Sequence, residues 1–119
     1  MKIQLNTDSH IVGSEALTAE VEKKLTSALN RFSERITRIE VHLSDLNSAK
    51  TGVNDKRCVI EARVVGLNPI SVSHQAPTLA LAVDGGREKM ANALDAAFGK
   101  RDAIRHDPIV PSDDADPAQ

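Results

Sequence analysis

The chain of 119 residues contains no tryptophan and no tyrosine, and only two phenylalanines. Single-stranded nucleic acid is commonly held by bases stacked on aromatic side chains, so this composition argues against such a platform. The single cysteine, Cys58, excludes an internal disulfide and leaves too few thiols for a zinc knuckle. Because the sequence also has no signal-peptide pattern and no apolar run long enough to cross a bilayer, we expect a cytoplasmic protein without membrane contact.

A strong excess of positive charge is also missing. The chain carries 15 Lys and Arg against 17 Asp and Glu, for a net charge of -2. Three of the anions, Asp113, Asp114 and Asp116, lie beyond Pro108, where no cation occurs, so residues 1–107 have 15 cations against 14 anions. Proteins that bind polyanions strongly usually show a clear basic excess. Binding to nucleic acid would therefore require the cations to be gathered on one surface.

What the sequence does contain is a regular succession of patterns. Period-two alternation predicts strands, and apolar residues at three- and four-residue spacing predict amphipathic helices. The predicted order is strand Lys2–Asn6, helix Ser14–Phe32, strands Thr37–Asp45, Lys56–Val65 and Pro69–Gln75, and helix Thr78–Phe98. The fold class is thus α+β, β-α-β-β-β-α, with two helices on one face of a four-stranded sheet. Residues 1–101 form the domain, and residues 102–119 form an acidic, Pro-containing disordered tail.

Local signals refine these boundaries. Ser14 is suited to cap the first helix, and the polar connection Leu46–Asp55 predicts a long hairpin loop. Gly85 and Gly86 interrupt the second helix, which indicates close packing against a neighbouring element. Gly99 is suited to the C′ position just past the end of that helix.

No residue pattern indicates catalysis, a metal or a cofactor. His42 is predicted on the outer face of the sheet and His74 on the inner face, so they should not converge as metal ligands. Cys58 falls in the inward register of its strand and is interpreted as a small core residue. The segment from Asp84 to Arg87 is rich in glycine but lacks the context of a phosphate-binding loop.

Several short segments resemble the bacterial ribosome hibernation-promoting factors, also called ribosome-associated translation inhibitors, of the sigma-54 modulation protein family. These segments are MKIQL at 1–5, SEAL at 14–17, RFSERI at 31–36, AVD at 82–84 and KMANAL at 89–94. The resemblance covers roughly residues 1–101, with the segments in the family's order.

The resemblance implies a binding protein and not an enzyme, with a fold similar to double-stranded RNA-binding domains. Members of this family lodge in the small ribosomal subunit, in the channel used by messenger and transfer RNA, and inhibit translation under stress. The implied partners are the small subunit and its ribosomal RNA, with no DNA, metal or cofactor. The chain would be a short form without the additional domain that pairs two ribosomes.

The same resemblance implies that basic side chains on the helices bind ribosomal RNA phosphates. Carried onto this sequence, the candidates are Lys23, Lys24, Arg31, Arg35, Arg87, Lys89, Lys100 and Arg101. Asp95 departs from the family pattern, because it puts an anion where cations are expected.

Three other interpretations stay open at this point. In the first, the helix cations belong to a solvated face with pairs such as Glu20–Lys24, four residues apart. In the second, the chain is a protein-interaction module that kept the fold and lost its RNA partner, which the near-neutral helices favour. In the third, the chain is an enzyme or small-ligand protein that uses the outer sheet face, whose candidate residues are Arg38, His42, Arg57, Glu61 and Arg63.

Overall fold

The fold is a single four-stranded sheet with both helices on one face. The computed structural model describes residues 1–8, 11, 13–46 and 56–106, except for the side chains of residues 100–106. The elements are β1 (Lys2–Thr7), α1 (Glu15–Leu29), a 3-10 helix (Asn30–Phe32), β2 (Ile36–Asp45), β3 (Lys56–Val64), β4 (Ile70–Ala76) and α2 (Leu79–His106). The predicted order is confirmed, and every strand boundary agrees with the prediction to within one residue. The predicted loop Leu46–Asp55 lies, apart from Leu46, outside the described residues.

The strands lie side by side in chain order, β1-β2-β3-β4. β1 is parallel to β2, and the other two pairings are antiparallel. A parallel neighbour requires a crossover connection, and α1 provides it between β1 and β2. The register aligns Leu5, Val41, Ile60 and Val72 across all four strands, so these apolar side chains share the face that the helices cover.

The core lies between that sheet face and the two helices. Leu25 and Leu29 of α1 and Met90 and Leu94 of α2 are completely buried there. Cys58 of β3 is also completely buried, and this burial raises the pKa of its thiol to about 12. The interpretation of Cys58 as a core residue is therefore confirmed.

The residue just before each helix caps the N-terminus of that helix with its side chain. The Ser14 hydroxyl accepts a hydrogen bond of 3.1 Å from the Leu17 backbone N–H, which confirms the predicted cap of α1. The Thr78 hydroxyl accepts an equivalent bond of 3.1 Å from the Leu81 N–H at the start of α2. Each bond satisfies one of the backbone donors that the first turn of a helix leaves without a partner.

The end of α2 differs from the prediction. The helix continues through Gly99 to His106, so the placement of its end at Phe98 with Gly99 at C′ is wrong. A C′ glycine takes a left-handed backbone, whereas the described glycine with positive φ is Gly66, at 81°, in the turn before β4. Glycine inside a helix costs about 1 kcal/mol but does not end it. Residues 107–119 lie outside the described residues, so the disordered tail stays a prediction.

The two central glycines of α2 allow the helix to lie very close to the sheet. A Cβ atom on Gly85 would come within 2.1 Å of the His74 ring, and one on Gly86 within 3.0 Å of Ile60 Cδ1. The predicted close packing is confirmed, and His74 lies in the inward register, paired with Cys58.

Candidate nucleic-acid interface

α1 and α2 run alongside each other in the same direction. Lys24 of α1 meets Asp84 near the start of α2, and further along the Phe32 and Phe98 rings lie 5.8 Å apart. We call the line of contact between these helices the helix seam. Of the predicted phosphate-binding residues, Lys24 and Arg31 lie on one side of this seam and Arg87 on the other.

The first half of the helix seam holds a cluster of one anion and two cations. The Lys24 ammonium lies 2.7 Å from an Asp84 carboxylate oxygen, and Arg87 Nε lies 3.4 Å from the same oxygen. Arg87 Nη1 also donates to the backbone carbonyl oxygen of Lys24 at 3.3 Å. Lys24 therefore pairs with Asp84 of the other helix and not with Glu20, the partner given in the alternative of a solvated helix face. All three charged side chains are partly buried.

The second half of the helix seam holds a two-pronged ion pair. Arg31 Nη1 and Nη2 donate to the two Asp95 carboxylate oxygens at 2.6 and 2.7 Å. This hydrogen bonding lowers the pKa of Asp95 and raises the pKa of Arg31. The Arg31 guanidinium also lies 4.3 Å from the Phe32 ring centroid. Both partners of the pair are about half exposed, at 56% for Arg31 and 51% for Asp95.

The other predicted residues are distributed around this arrangement. Lys23 is exposed on α1, and Arg35 lies with its guanidinium 4.6 Å from the centre of the Phe98 ring, at the end of the seam. Lys89 points the other way, because its ammonium donates to the Ser73 carbonyl of β4 at 2.9 Å. Lys100 and Arg101 belong to the last turns of α2, where side chains are outside the described residues.

In the part of the helical layer whose side chains the structure describes, the charges alternate in sign and form no continuous positive groove. That part, residues 14–35 and 78–99, carries six Lys and Arg and seven Asp and Glu. Along the seam each anion stands between or beside cations, as the two clusters show. The structure thus brings Lys24, Arg31 and Arg87 together, with Arg35 at the end of the seam, but it places carboxylates among them.

The outer face of the sheet carries a different charge pattern. Lys2, Arg38 and Arg63 are directly paired neighbours across β1, β2 and β3. In the adjacent row Glu40 is paired with Glu61, and each carboxylate contacts an arginine of its own strand, Glu40 with Arg38 and Glu61 with Arg63 at 3.8 Å.

Two further residues complete the charge of this outer face. His42 lies there as predicted, 3.7 Å from Glu40, and Arg57 adds a fourth cation. Among the residues that the structure describes, the outer face thus has four Lys and Arg for two carboxylates.

The described part of the chain holds neither a cluster of metal-binding side chains nor a helix suited to a membrane. No cluster of three or more His, Cys, Asp or Glu side chains there could hold a metal ion. None of the helices in that part is long and apolar enough to span a membrane.

Comparison with known proteins identifies the family. The family model described as sigma 54 modulation protein / S30EA ribosomal protein matches residues 5–102. The chain belongs to this family, and it is therefore a ribosome-associated factor by membership. Among curated proteins, no sequence matches significantly.

Solved structures give the same fold. The crystal structure of the Thermus thermophilus Protein Y N-terminal domain matches with a TM-score of 0.66 and 20% identity, over 81% of this chain and 98% of that one. A ribosomal subunit interface protein from Coxiella burnetii matches with a TM-score of 0.65 and 20% identity, over 83% of this chain and 99% of that one. The α+β fold predicted from the sequence is confirmed.

Sequence reasoning missed the roles of Asp84 and Asp95. Asp95 was visible as an anion in a stretch expected to be basic, but its partner is 64 residues away. Asp84 and Lys24 are separated by 60 residues. No local spacing rule connects residues so distant, so only the packing of α2 against α1 reveals these pairs.

Proposed function

We propose that this protein binds the small ribosomal subunit in the messenger and transfer RNA channel and inhibits translation as a cytoplasmic hibernation factor. The observation that carries the proposal is the family match over residues 5–102, which covers α1 and the strands β2 to β4 completely and reaches into β1 and α2. The Coxiella burnetii structure with the same fold is itself named a ribosomal subunit interface protein. On this proposal the protein acts by occupying a site, as a binding protein and not an enzyme.

The chemistry of the helical layer suits contacts to an RNA backbone. Exposed Lys23 presents an ammonium, and Arg31 and Arg35 bring guanidinium groups to the end of the seam, where Arg31 is paired with Asp95. Such groups neutralise phosphates and release counterions, so binding weakens as salt is raised. The shape of a folded RNA determines the fit, and no base-specific contact is needed.

Sedimentation through sucrose gradients tests the proposal. The purified protein is mixed with ribosomes or with separated subunits, at low and at moderate salt. We expect co-migration with the small subunit and with whole ribosomes, and less of it at moderate salt. Protein that stays at the top of the gradient at low salt would contradict ribosome binding.

A pair of charge-matched variants then identifies the binding face. The helix-face variant combines Lys23→Gln, Arg31→Gln and Arg35→Gln, and the sheet-face control combines Lys2→Gln, Arg57→Gln and Arg63→Gln. Each removes three positive charges, so a general electrostatic effect is the same for both. We expect the helix-face variant to lose much more binding. Lys24 is left unchanged, because its ion pair with Asp84 stabilises the helical layer.

The alternating signs along the helix seam favour a second candidate, a module that binds a protein partner. Complementary patterns of charge give specificity between protein surfaces. If ribosomes do not retain the protein at low salt, affinity capture with the wild type and the helix-face variant distinguishes the two candidates. A protein captured by the wild type alone, in nuclease-treated extract, would support the interaction module.

A further inference from the structure

We propose that Asp95 binds the Arg31 guanidinium in the place that an RNA phosphate would take. In this way Asp95 lowers both the affinity of the helix seam for RNA and the salt dependence of that binding. The proposal rests on the proposed function, because it concerns the same surface. It assigns Asp95 a regulatory role: the residue sets how tightly the seam binds a phosphate backbone.

The geometry supports this role. A guanidinium binds a carboxylate and a phosphate in the same way, through two parallel N–H bonds. Arg31 already makes both bonds with Asp95, at 2.6 and 2.7 Å. The donors that an incoming phosphate would use are therefore already bound to Asp95.

The exposure of the pair makes exchange possible. Arg31 and Asp95 are each about half exposed, at 56% and 51%, so a phosphate can approach without rearrangement of the core. The Asp84 cluster differs, because Lys24 is only 22% exposed and Asp84 is held by two cations. Asp84 therefore serves the packing of the helices, whereas Asp95 stands at the surface where a ligand competes.

Exchange has a consequence for counterions. When a free arginine binds an RNA phosphate, it releases the cation that was condensed on that phosphate. Arg31 must first break its ion pair with Asp95. Asp95 then stands alone beside a polyanion and takes up a cation from solution. The net release of ions is smaller, so the salt dependence is shallower than for a free arginine. An aspartate carboxylate is charged at neutral pH, so the competition between Asp95 and a phosphate operates under those conditions.

A double-mutant cycle tests the proposal. The full-length wild type, Asp95→Asn, Arg31→Gln and the combination of both are titrated into a labelled RNA duplex of about 20 base pairs, and into purified small subunits, over a range of salt concentrations. Glu88→Gln is the matched control, because Glu88 is exposed on α2 and its replacement removes the same charge without freeing Arg31. Circular dichroism checks that every variant is folded.

We expect Asp95→Asn to bind the RNA duplex about two- to fivefold tighter than Glu88→Gln at low salt, as the worth of a surface ion pair suggests. The slope of log affinity against log salt should steepen by about 0.7 to 0.9, corresponding to one additional phosphate contact. When Arg31→Gln is also present, the gain in RNA affinity from Asp95→Asn should fall to the gain in affinity from Glu88→Gln.

Two results would overturn the role of Asp95. The first is a gain in RNA affinity from Asp95→Asn that is no larger than the gain from Glu88→Gln. The second is a gain in RNA affinity from Asp95→Asn that persists in the Arg31→Gln variant. Wild-type protein that binds no small subunits would contradict the proposed function alone, because the comparison of variants on the RNA duplex still decides whether Asp95 competes for Arg31.

Discussion

Two glycines of α2 stand in opposite surroundings, although both lie inside the helix. A Cβ atom added to Gly85 would fall 2.1, 2.3 and 2.5 Å from three atoms of the His74 ring. A Cβ atom added to Gly99 would meet nothing within 4 Å apart from its neighbours in the chain and the backbone of its own helix. The first glycine is thus required by contact with the sheet, and the second is not.

Alanine at these two positions should change stability in opposite directions. Gly85→Ala must displace the His74 ring, and overpacking of this kind costs about 1–3 kcal/mol. Gly99→Ala gains up to about 1 kcal/mol, because alanine is the better helix former and space is available. Urea unfolding monitored by circular dichroism measures both. A loss of stability in Gly99→Ala would indicate a left-handed residue there and a helix that ends earlier.

The buried Cys58 thiol should be unreactive in the folded protein. Burial raises its pKa to about 12, so almost no thiolate is present near pH 8, and the sulfur is also covered. We expect a thiol-specific reagent such as Ellman's reagent to react within minutes in strong denaturant and far more slowly without it. Rapid labelling of the native protein would contradict the position of Cys58 in the core.

The same pKa shift gives a direction for stability at alkaline pH. The ordinary thiol pKa is 9.0, so the unfolded chain loses this proton at lower pH than the folded chain. The contribution of Cys58 is therefore constant below about pH 9 and becomes destabilising as the pH rises from there towards 12. In Cys58→Ala this part of the pH dependence should disappear.

At the scale of elements, Asp84 joins the two helices. It binds Lys24 of α1 and Arg87 of α2, and Arg87 in turn donates to the Lys24 carbonyl. Without the carboxylate, two partly buried cations would face each other. This cluster holds α1 and α2 together near the start of α2, whereas the pair of Phe32 and Phe98 lies further along the seam.

Asp84→Asn should therefore lower the free energy of unfolding by about 1 kcal/mol, somewhat more than an exposed pair contributes. Glu88→Gln, an exposed change on the same helix, should stay within about 0.5 kcal/mol of the wild type. Urea midpoints in low and high salt provide the measurement. Equal effects of the two substitutions would show that the Asp84 cluster does not stabilise the helical layer.

The strands were predictable because alternation is a local signal. The buried positions of β3, and those of β2 from Ile39 onward, follow from apolar residues at every second place. The pairing register then follows from which face of each strand is buried. Ile36 lies outside this period, because the register shifts between Ile36 and Arg38. The end of α2 was not predictable in the same way, since Gly99 is equally compatible with a helix end and a helix interior. The ion pairs of the helix seam depend on the relative position of two helices, which no local pattern contains.

For the whole molecule, charge is divided unequally between its two large faces. Among the described side chains, the outer sheet face has four Lys and Arg for two carboxylates, whereas residues 14–35 and 78–99 of the helical layer have six Lys and Arg for seven Asp and Glu. The family resemblance implies phosphate contacts by the helices, yet Lys24, Arg31 and Arg87 of the seam are paired within the molecule. This division is the reason that the helix-face and sheet-face variants must be compared at equal change of charge.

The acidic residues near the C-terminus set the overall charge, and their removal should strengthen binding to RNA. Replacement of Asp113, Asp114 and Asp116 by Asn changes the net charge from -2 to +1. Repulsion between the protein and a polyanion is long-ranged but screened within about 10 Å at 0.1 M salt. We expect the triple variant to bind an RNA duplex several-fold tighter at low salt, with the difference vanishing at high salt.

A variant with Ser112→Asn and Ala115→Asn changes the same segment without changing its charge. It should bind as the wild type does at every salt concentration. Anisotropy titrations of the three proteins therefore separate the effect of charge from that of the segment's sequence. A gain that persisted at high salt, or that appeared in the neutral variant, would show that these aspartates act through specific contacts and not through the overall field of the protein.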